Sequence, residues 1–256
     1  MKNASHGGDI GKYKILLDEV SSTQTYALDL VRTGKINHGT MVSCRHQTQG
    51  KGRMDKSWTS SKNQNFTASF ILNELNKAHG CLPGHISMLA ALSVTHAIRS
   101  FIPDGVMIKW PNDVICDSKK LAGILITNQW RGSQLESSVI GIGINVNQTF
   151  FGDAPRAGSI KMITSKDLNT NDVALSLITQ LNYWYEFLLE ADKDLIRQEY
   201  HQALYGFGQA VDILMTKANN LKKGKMIEVM EDGKVKVEFN DFQQGMYDID
   251  EIKIMF

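Results

Sequence analysis

Hydrophobic positions along the 256-residue chain change their period several times, and each change predicts a different element. Residues 13–17 read as a strand, and the hydroxyls of the run Val20-Ser21-Ser22-Thr23 then supply N-caps for a helix carrying Ala27, Leu28 and Val31. Residues 40–44 and 66–72 predict strands on either side of a long loop. From Pro83 the apolar residues Ile86, Leu89, Ala90, Val94, Ala97 and Ile98 recur at helical spacing, and this helix should end before Pro103. Strands are expected over 106–110, 121–127 and 139–146, with connections short enough to imply antiparallel pairing. Val173, Leu177, Leu181, Trp184 and Leu188 then share one helical stripe, and a second short helix runs to about Tyr205. Beyond Gly206 the pattern becomes short strands over 211–215, 226–230, 234–239 and 247–254, with an Asp232-Gly233 turn. The expected organisation is a tail over 1–12, an α+β unit over 13–205 and a small β-barrel over 206–256.

Within this frame three stretches combine polar chemistry with unusual backbone needs. In residues 139–146, VIGIGINV, one face carries Ile140, Ile142, Ile144 and Val146, and the other Gly141, Gly143 and Asn145. Two glycines on one strand face weaken the strand, so something must approach the backbone closely there, either a packed element or a ligand. In 109–113, KWPND, Pro111 interrupts a strand directly after Lys109, which is either a plain strand end or a lysine lining a cleft. Lys120 stands at the start of a buried strand, where a snorkelling lysine is the more common case. The loop 47–58, QTQGKGRMDKSW, brackets Lys51 with Gly50 and Gly52 ahead of Arg53. Its glycines could take left-handed or nest conformations that turn N–H groups toward an anion, with Trp58 anchoring the loop base in the core. The alternative is an ordinary surface loop.

Composition narrows the partners. A net charge of +1 argues against broad affinity for nucleic acid or anionic membrane, so any basic site must be local. Cys44, Cys81 and Cys116 form no CxxC pair and the histidines no ligand motif, which points away from structural zinc and disulfides and toward a reducing cytoplasm. No signal-peptide pattern and no apolar run of about 18 residues is present. GxGxxG fails at both glycine pairs and no P-loop occurs.

Taken together, Ser22-Thr23-Gln24, Gln47 with Gly50-Lys51-Gly52-Arg53 and Trp58, Lys109-Trp110-Pro111-Asn112-Asp113, Lys120-Leu121-Ala122-Gly123-Ile124-Leu125, and Gly141 through Asn147 resemble the motif series of bacterial biotin protein ligases. The resemblance implies an α+β core related to class II synthetases, with a mixed, largely antiparallel sheet and an SH3-like C-terminal barrel. It implies ATP-dependent conversion of biotin to biotinyl-5′-AMP, with Mg²⁺ accompanying ATP, and transfer to one lysine of a biotin carboxyl carrier protein. By that resemblance Ser22, Thr23, Gln24 and Gln47 would hold the biotin head, with Gly123, Gly141 and Gly143 beneath it. Gly50, Lys51, Gly52 and Arg53 would close over biotin and the acyl-phosphate, and Arg53 would retain the intermediate. Lys51, Arg53, Lys109, Asn112 and Asn145 would contact the nucleotide, Lys120 the carboxylate or phosphate, and Asp113 the attacking amine. No metal-binding motif is expected in the chain itself. A lipoate or octanoate ligase or transferase of the same superfamily, and a non-catalytic binder of biotin or biotinyl-AMP, are the alternatives.

Several positions depart from the family pattern. Gln24 stands where Asn is usual, which implies a longer or water-mediated contact with the biotin head. Lys51 replaces an arginine, and Met54 and Asp55 replace Arg and Gly, leaving the loop less basic. The first strand begins near residue 13, which implies a short form without the helix-turn-helix domain and therefore without DNA binding. A monomer or homodimer is expected.

Overall fold

A computed structural model describes residues 10–34, 36–54, 56–73, 75–78, 80–190 and 192–256. Residues 1–9 of the expected 1–12 tail, and Asp55 in the loop, lie outside these. Ile10 and Gly11, assigned to the tail from sequence, are docked. Asn182 receives the Ile10 N–H at 3.1 Å and donates to the Ile10 carbonyl at 2.9 Å, and Ile10 is buried.

The larger sheet is built from Lys14–Val20 (β1), Thr40–Gln47 (β2), Phe66–Leu72 (β3), Met107–Lys109 (β4), Asp113–Cys116 (β5), Lys119–Arg131 (β6) and Gln134–Ile144 (β7). Its order is β1-β2-β3-β7-β6-β5-β4, with β1 and β2 parallel and the other pairs antiparallel. The expected direct pairing of 106–110 with 121–127 is replaced by an inserted strand, β5. Its four residues were too short to stand out as a periodic run, and they pair on one side with β4 and on the other with β6.

Strand alternation sorts the two faces. Met41, Phe70, Ile140 and Ile142 point to the main core, where helices Pro83–Arg99 (α2), Thr170–Leu189 (α4) and Lys193–Ala203 (α5) pack. Pro83 opens α2, and His85 Nδ1 accepts the Leu82 N–H at 3.0 Å, taking the part a capping-box carboxylate usually plays. Val42, Ile71 and Val139 point the other way and pack beneath Ala27 of helix Thr23–Arg32 (α1). Short helix Ile160–Thr164 (α3) follows β7. Because α1 covers only part of its face, the rest of that face, toward Gly141 and Gly143, is open at the α1 N-terminus.

Val211–Met215 (β8), Asn220–Val229 (β9), Val235–Phe239 (β10), Gln244–Tyr247 (β11) and Ile252–Ile254 (β12) form a separate antiparallel sheet in the order β11-β10-β9-β8-β12. Its edge strands β11 and β12 do not pair with each other, so the expected barrel is not closed. The turn between the edge strands is closed by its own bonds: Glu251 Oε2 accepts the Asp248 N–H at 2.9 Å and the Asp248 carbonyl accepts the Glu251 N–H at 3.1 Å. This sheet meets α2 where Gly84 donates to the Glu231 carbonyl at 2.9 Å.

Candidate active site

A cavity of about 320 Å³ opens on the α1 side of the larger sheet. Its floor is set by register: Gly123 pairs with Gly143 and Leu125 with Gly141 across β6 and β7. With no side chains at three of these positions, the floor is recessed by about one side-chain layer.

One end of the cavity is neutral and polar. Ser22 caps α1, its Oγ accepting the Thr25 N–H at 3.4 Å, so Thr23 and Gln24 of the first turn face the glycine floor. Gln47 Oε1, at the end of β2, accepts the Thr23 N–H at 2.8 Å, and Thr23 Oγ1 lies 3.1 Å from the same oxygen. That carboxamide thus serves an orphan donor of the helix start, and its orientation is set. Gln24 Nε2 donates to the Val139 carbonyl at 3.0 Å and to Thr127 Oγ1 at 3.1 Å, so the longer side chain reaches across the floor to the strands beyond. A Cβ on Gly141 would lie 2.6 Å from Gln24 Oε1, which explains the glycine there.

The other end is cationic. Lys51, Arg53, Lys109 and Lys120 all line the cavity, together with Asn112 and Asp113. Lys120 Nζ lies 2.6 Å from Asp113 Oδ1, an ion pair approached off the hydrogen-bonding direction, so Asp113 Oδ1 has no aligned donor. Arg53 is half-buried; burial lowers its pKa, opposed by the charges of Asp113 and Asp250. Lys109 is 4 % exposed, and its Nζ sits 5.0 Å from the Phe256 ring centroid. Burial brings its pKa down to about 8; Asp113 opposes this, while Lys253, Lys120 and Arg156 add to it.

This buried amine has a consequence for stability. Below about pH 8 the lysine is charged in both folded and unfolded chains; between about 8 and 10.5 only the unfolded chain keeps the proton. Stability is therefore expected to rise with pH across that window. Urea titrations of wild type and Lys109→Met would check it, with the rise reduced in the variant; equal pH profiles would refute it.

The loop departs from its sequence expectation. Gly50 and Gly52 do not adopt left-handed backbone; Met54 does, with φ 52°. The glycines are needed for space, since a Cβ on Gly52 would lie 3.1 Å from the Lys56 carbonyl oxygen and one on Gly50 2.9 Å from Gln47 Nε2. The loop is a small hairpin in which Gly50 accepts the Trp58 N–H at 2.8 Å and Gly52 donates to Lys56 at 2.6 Å. Trp58 does not anchor the loop in the core. Its indole lies in the groove above Gly143 and Gly123, half-buried, with Nε1 lacking a partner and Lys120 Nζ 5.8 Å from the ring. The close approach that the strand glycines anticipated is thus made, in this state, by Trp58 and Gln24.

Asn145 is not among the residues lining the cavity. Its Nδ2 donates to the carbonyls of Gly158 at 2.9 Å and Lys120 at 3.3 Å, tying 154–158 to the start of β6. Asn112 lines the cavity, but its Nδ2 donates to the Ile124 carbonyl at 2.9 Å. Sequence reasoning missed Thr67, Ser69, Arg156, Asp250, Lys253 and Phe256. Lys253, between Ile252 and Ile254, was visible as an alternating position, but nothing local linked it to a cavity built on another sheet. Among the described residues no group of three potential metal ligands occurs, and no helix is long and apolar enough to cross a membrane.

A family model described as the biotin/lipoate A/B protein ligase family matches residues 16–145. The bifunctional ligase/repressor BirA of Bacillus spizizenii is 37% identical over 142 residues, covering 54% of this chain and 42% of that protein. The biotin–[acetyl-CoA-carboxylase] ligase of Paracoccus denitrificans is 29% identical over 148 residues, 57% of this chain and 58% of that one. The match spans less than half the length of the Bacillus relative. Among solved structures, the Aquifex aeolicus biotin protein ligase in complex with biotin and ATP superposes with a TM-score of 0.77 at 24% identity, covering 95% of this chain and 99% of that one. The mixed sheet and the separate antiparallel sheet are those of this fold.

Proposed function

Because this chain belongs to the biotin/lipoate A/B protein ligase family, we propose that it is a biotin protein ligase, activating biotin with ATP and transferring it to a carrier-protein lysine. The observation that carries the reading is the joining, in one cavity, of a neutral hydrogen-bonding end to a cationic end. Thr23 and Gln47 suit an uncharged polar ring. Arg53, Lys109 and Lys120 suit a reaction between two anions.

In the first step a biotin carboxylate oxygen attacks the α-phosphorus of ATP and pyrophosphate leaves. The residues' task is electrostatic: Lys120, Lys109 and Arg53 offset charge as the carboxylate and phosphate converge. Mg²⁺ bound with the nucleotide would neutralise phosphate charge, and no side chain of this chain is assigned to hold it. In the second step the carrier amine attacks the acyl carbon and AMP departs, with Asp113 orienting the amine and taking its proton. The carrier is that of a biotin-dependent carboxylase. Residues 13–205 hold the chemistry, and 206–256 close its cationic end through Asp250 and Lys253.

A lipoate or octanoate ligase is the second reading, and the neutral end argues against it. A dithiolane ring or an alkyl chain offers no N–H or C=O to Thr23 and Gln47. The deciding experiment incubates the chain with ATP, Mg²⁺, biotin and a carrier domain and measures the carrier mass. One biotinyl group should be added, and lipoate should not compete. A folded chain that leaves the carrier mass unchanged refutes the proposal.

A further inference from the structure

Lys109 is a buried cation without a counter-ion. It is 4 % exposed, and among the described residues no carboxylate is within ion-pair distance of its amine; Asp113 Oδ1 is taken by Lys120 at 2.6 Å. The charges that face it are Asp113 of β5, of opposite sign, and Lys120 of β6, Lys253 of β12 and Arg156, of like sign. An ammonium so placed is costly unless something compensates the lost water.

The compensation at hand is an aromatic ring. Lys109 Nζ lies over Phe256 at 5.0 Å from the ring centroid, and the guanidinium carbon of Arg156 lies over the same ring at 4.8 Å, both within the range in which a ring face attracts a cation. A ring face consumes none of the ammonium's N–H donors, so these remain for phosphate oxygens. Phe256 does not line the cavity, so its effect on a bound substrate passes through the cations.

Both sheets fix the ring. Ile252 and Ile254 of β12 are buried, and the Met255 N–H donates to the Asp212 carbonyl at 2.9 Å, which ties down the residue before Phe256. The Tyr205 ring meets Phe256 edge-on at 6.4 Å, and the Tyr205 N–H donates to the carbonyl of Ile108, the neighbour of Lys109, at 2.7 Å. The Arg156 carbonyl accepts the Lys120 N–H at 2.6 Å, so the ring is coupled to the second lysine as well.

We infer that Phe256 is a positioning residue: its ring face holds the Lys109 ammonium in place at the cationic end and, through Arg156, steadies the segment that pins Lys120. Its part in catalysis rests on the proposed adenylation, but its hold on Lys109 is read separately, in protein without substrates.

The test follows the titration of Lys109 by NMR in protein carrying isotope-labelled lysine, the resonance being assigned by its loss in Lys109→Met. In wild type the amine should titrate at about 8. A ring face favours the charged form, so Phe256→Leu, apolar but without that face, should titrate about one pH unit lower. Phe256→Tyr should titrate with wild type. Pentafluorophenylalanine at position 256 keeps the shape and reverses the charge of the ring face, so it should follow Phe256→Leu and separates attraction from packing if the leucine variant folds poorly. The alkaline limb of adenylate formation, measured by pyrophosphate release, should move to lower pH by the same amount in these two proteins. A Lys109 titration that neither the leucine nor the fluorinated ring moves overturns the inference, as does an equal shift in Phe256→Tyr or a limb that stays fixed while the titration moves. Wild type that shows the ring-dependent titration but forms no adenylate supports the hold on Lys109 and removes only the proposed reaction.

Discussion

Lys120→Ala is expected to slow formation of the acyl-adenylate roughly 10²–10³-fold, the range found when one preorganised charge-stabilising contact is deleted. Lys120 is held in place from both sides. Asp113 Oδ1 is 2.6 Å from its amine, and the centroid of the Trp58 ring is 5.8 Å from the same nitrogen. Its backbone is pinned as well, donating to the Arg156 carbonyl at 2.6 Å and accepting from Gly158 at 3.0 Å. A cation fixed in this way need not reorganise as negative charge gathers, which is why its loss should exceed that of a mobile surface lysine. Pyrophosphate release in the presence of biotin measures the effect. Asp113→Asn is the informative partner: it keeps Lys120 but removes the proposed proton acceptor, so labelling of the carrier should fall more than adenylate formation. Adenylate formation by Lys120→Ala within fivefold of wild type would remove the lysine from the chemistry.

Gly143→Val should have the second large effect, lowering affinity for biotin at least about hundredfold and stability by about 1–3 kcal/mol, the cost of overfilling a packed site. A Cβ there would sit 2.8 Å from the Trp58 indole nitrogen and closer still to the ring carbons. Backbone relief is blocked because Gly143 is paired to Thr67 on one side and to Gly123 on the other. The indole must leave the groove, and its fluorescence should shift to the red. Trp58→Ala in the same background should recover much of the stability, since contacting residues couple energetically. Unchanged emission and unchanged binding in Gly143→Val would contradict the placement of Trp58.

The helices and most strands were legible because their evidence is local. The stripe from Ile86 to Ile98 predicts α2, and residues 66–72 and 211–215 coincide with β3 and β8. Ser22 was legible as a cap because capping depends on a few consecutive residues. Strand β5 was not, since its four residues become a strand only by pairing with β4 and β6. The loop glycines were assigned to turning when they serve clearance, because φ depends on what stands opposite, and Lys56 and Gln47 are what stand opposite.

The site divides the same way. The residue types in the motifs, with their donors, acceptors and charges, belong to the sequence alone. So does the bare glycine face of residues 139–146, since alternation along a strand needs no partner. Tertiary structure decided what fills that face, which is Trp58 and Gln24, and which sheet completes the cationic end. It also placed Ser69 behind Thr23. These are contacts between segments far apart in the chain, governed by sheet register and by the packing that brings Asp250 to Arg53 and Lys253 to Lys109. No local pattern encodes such distances, because each depends on how two elements meet and not on how either one forms.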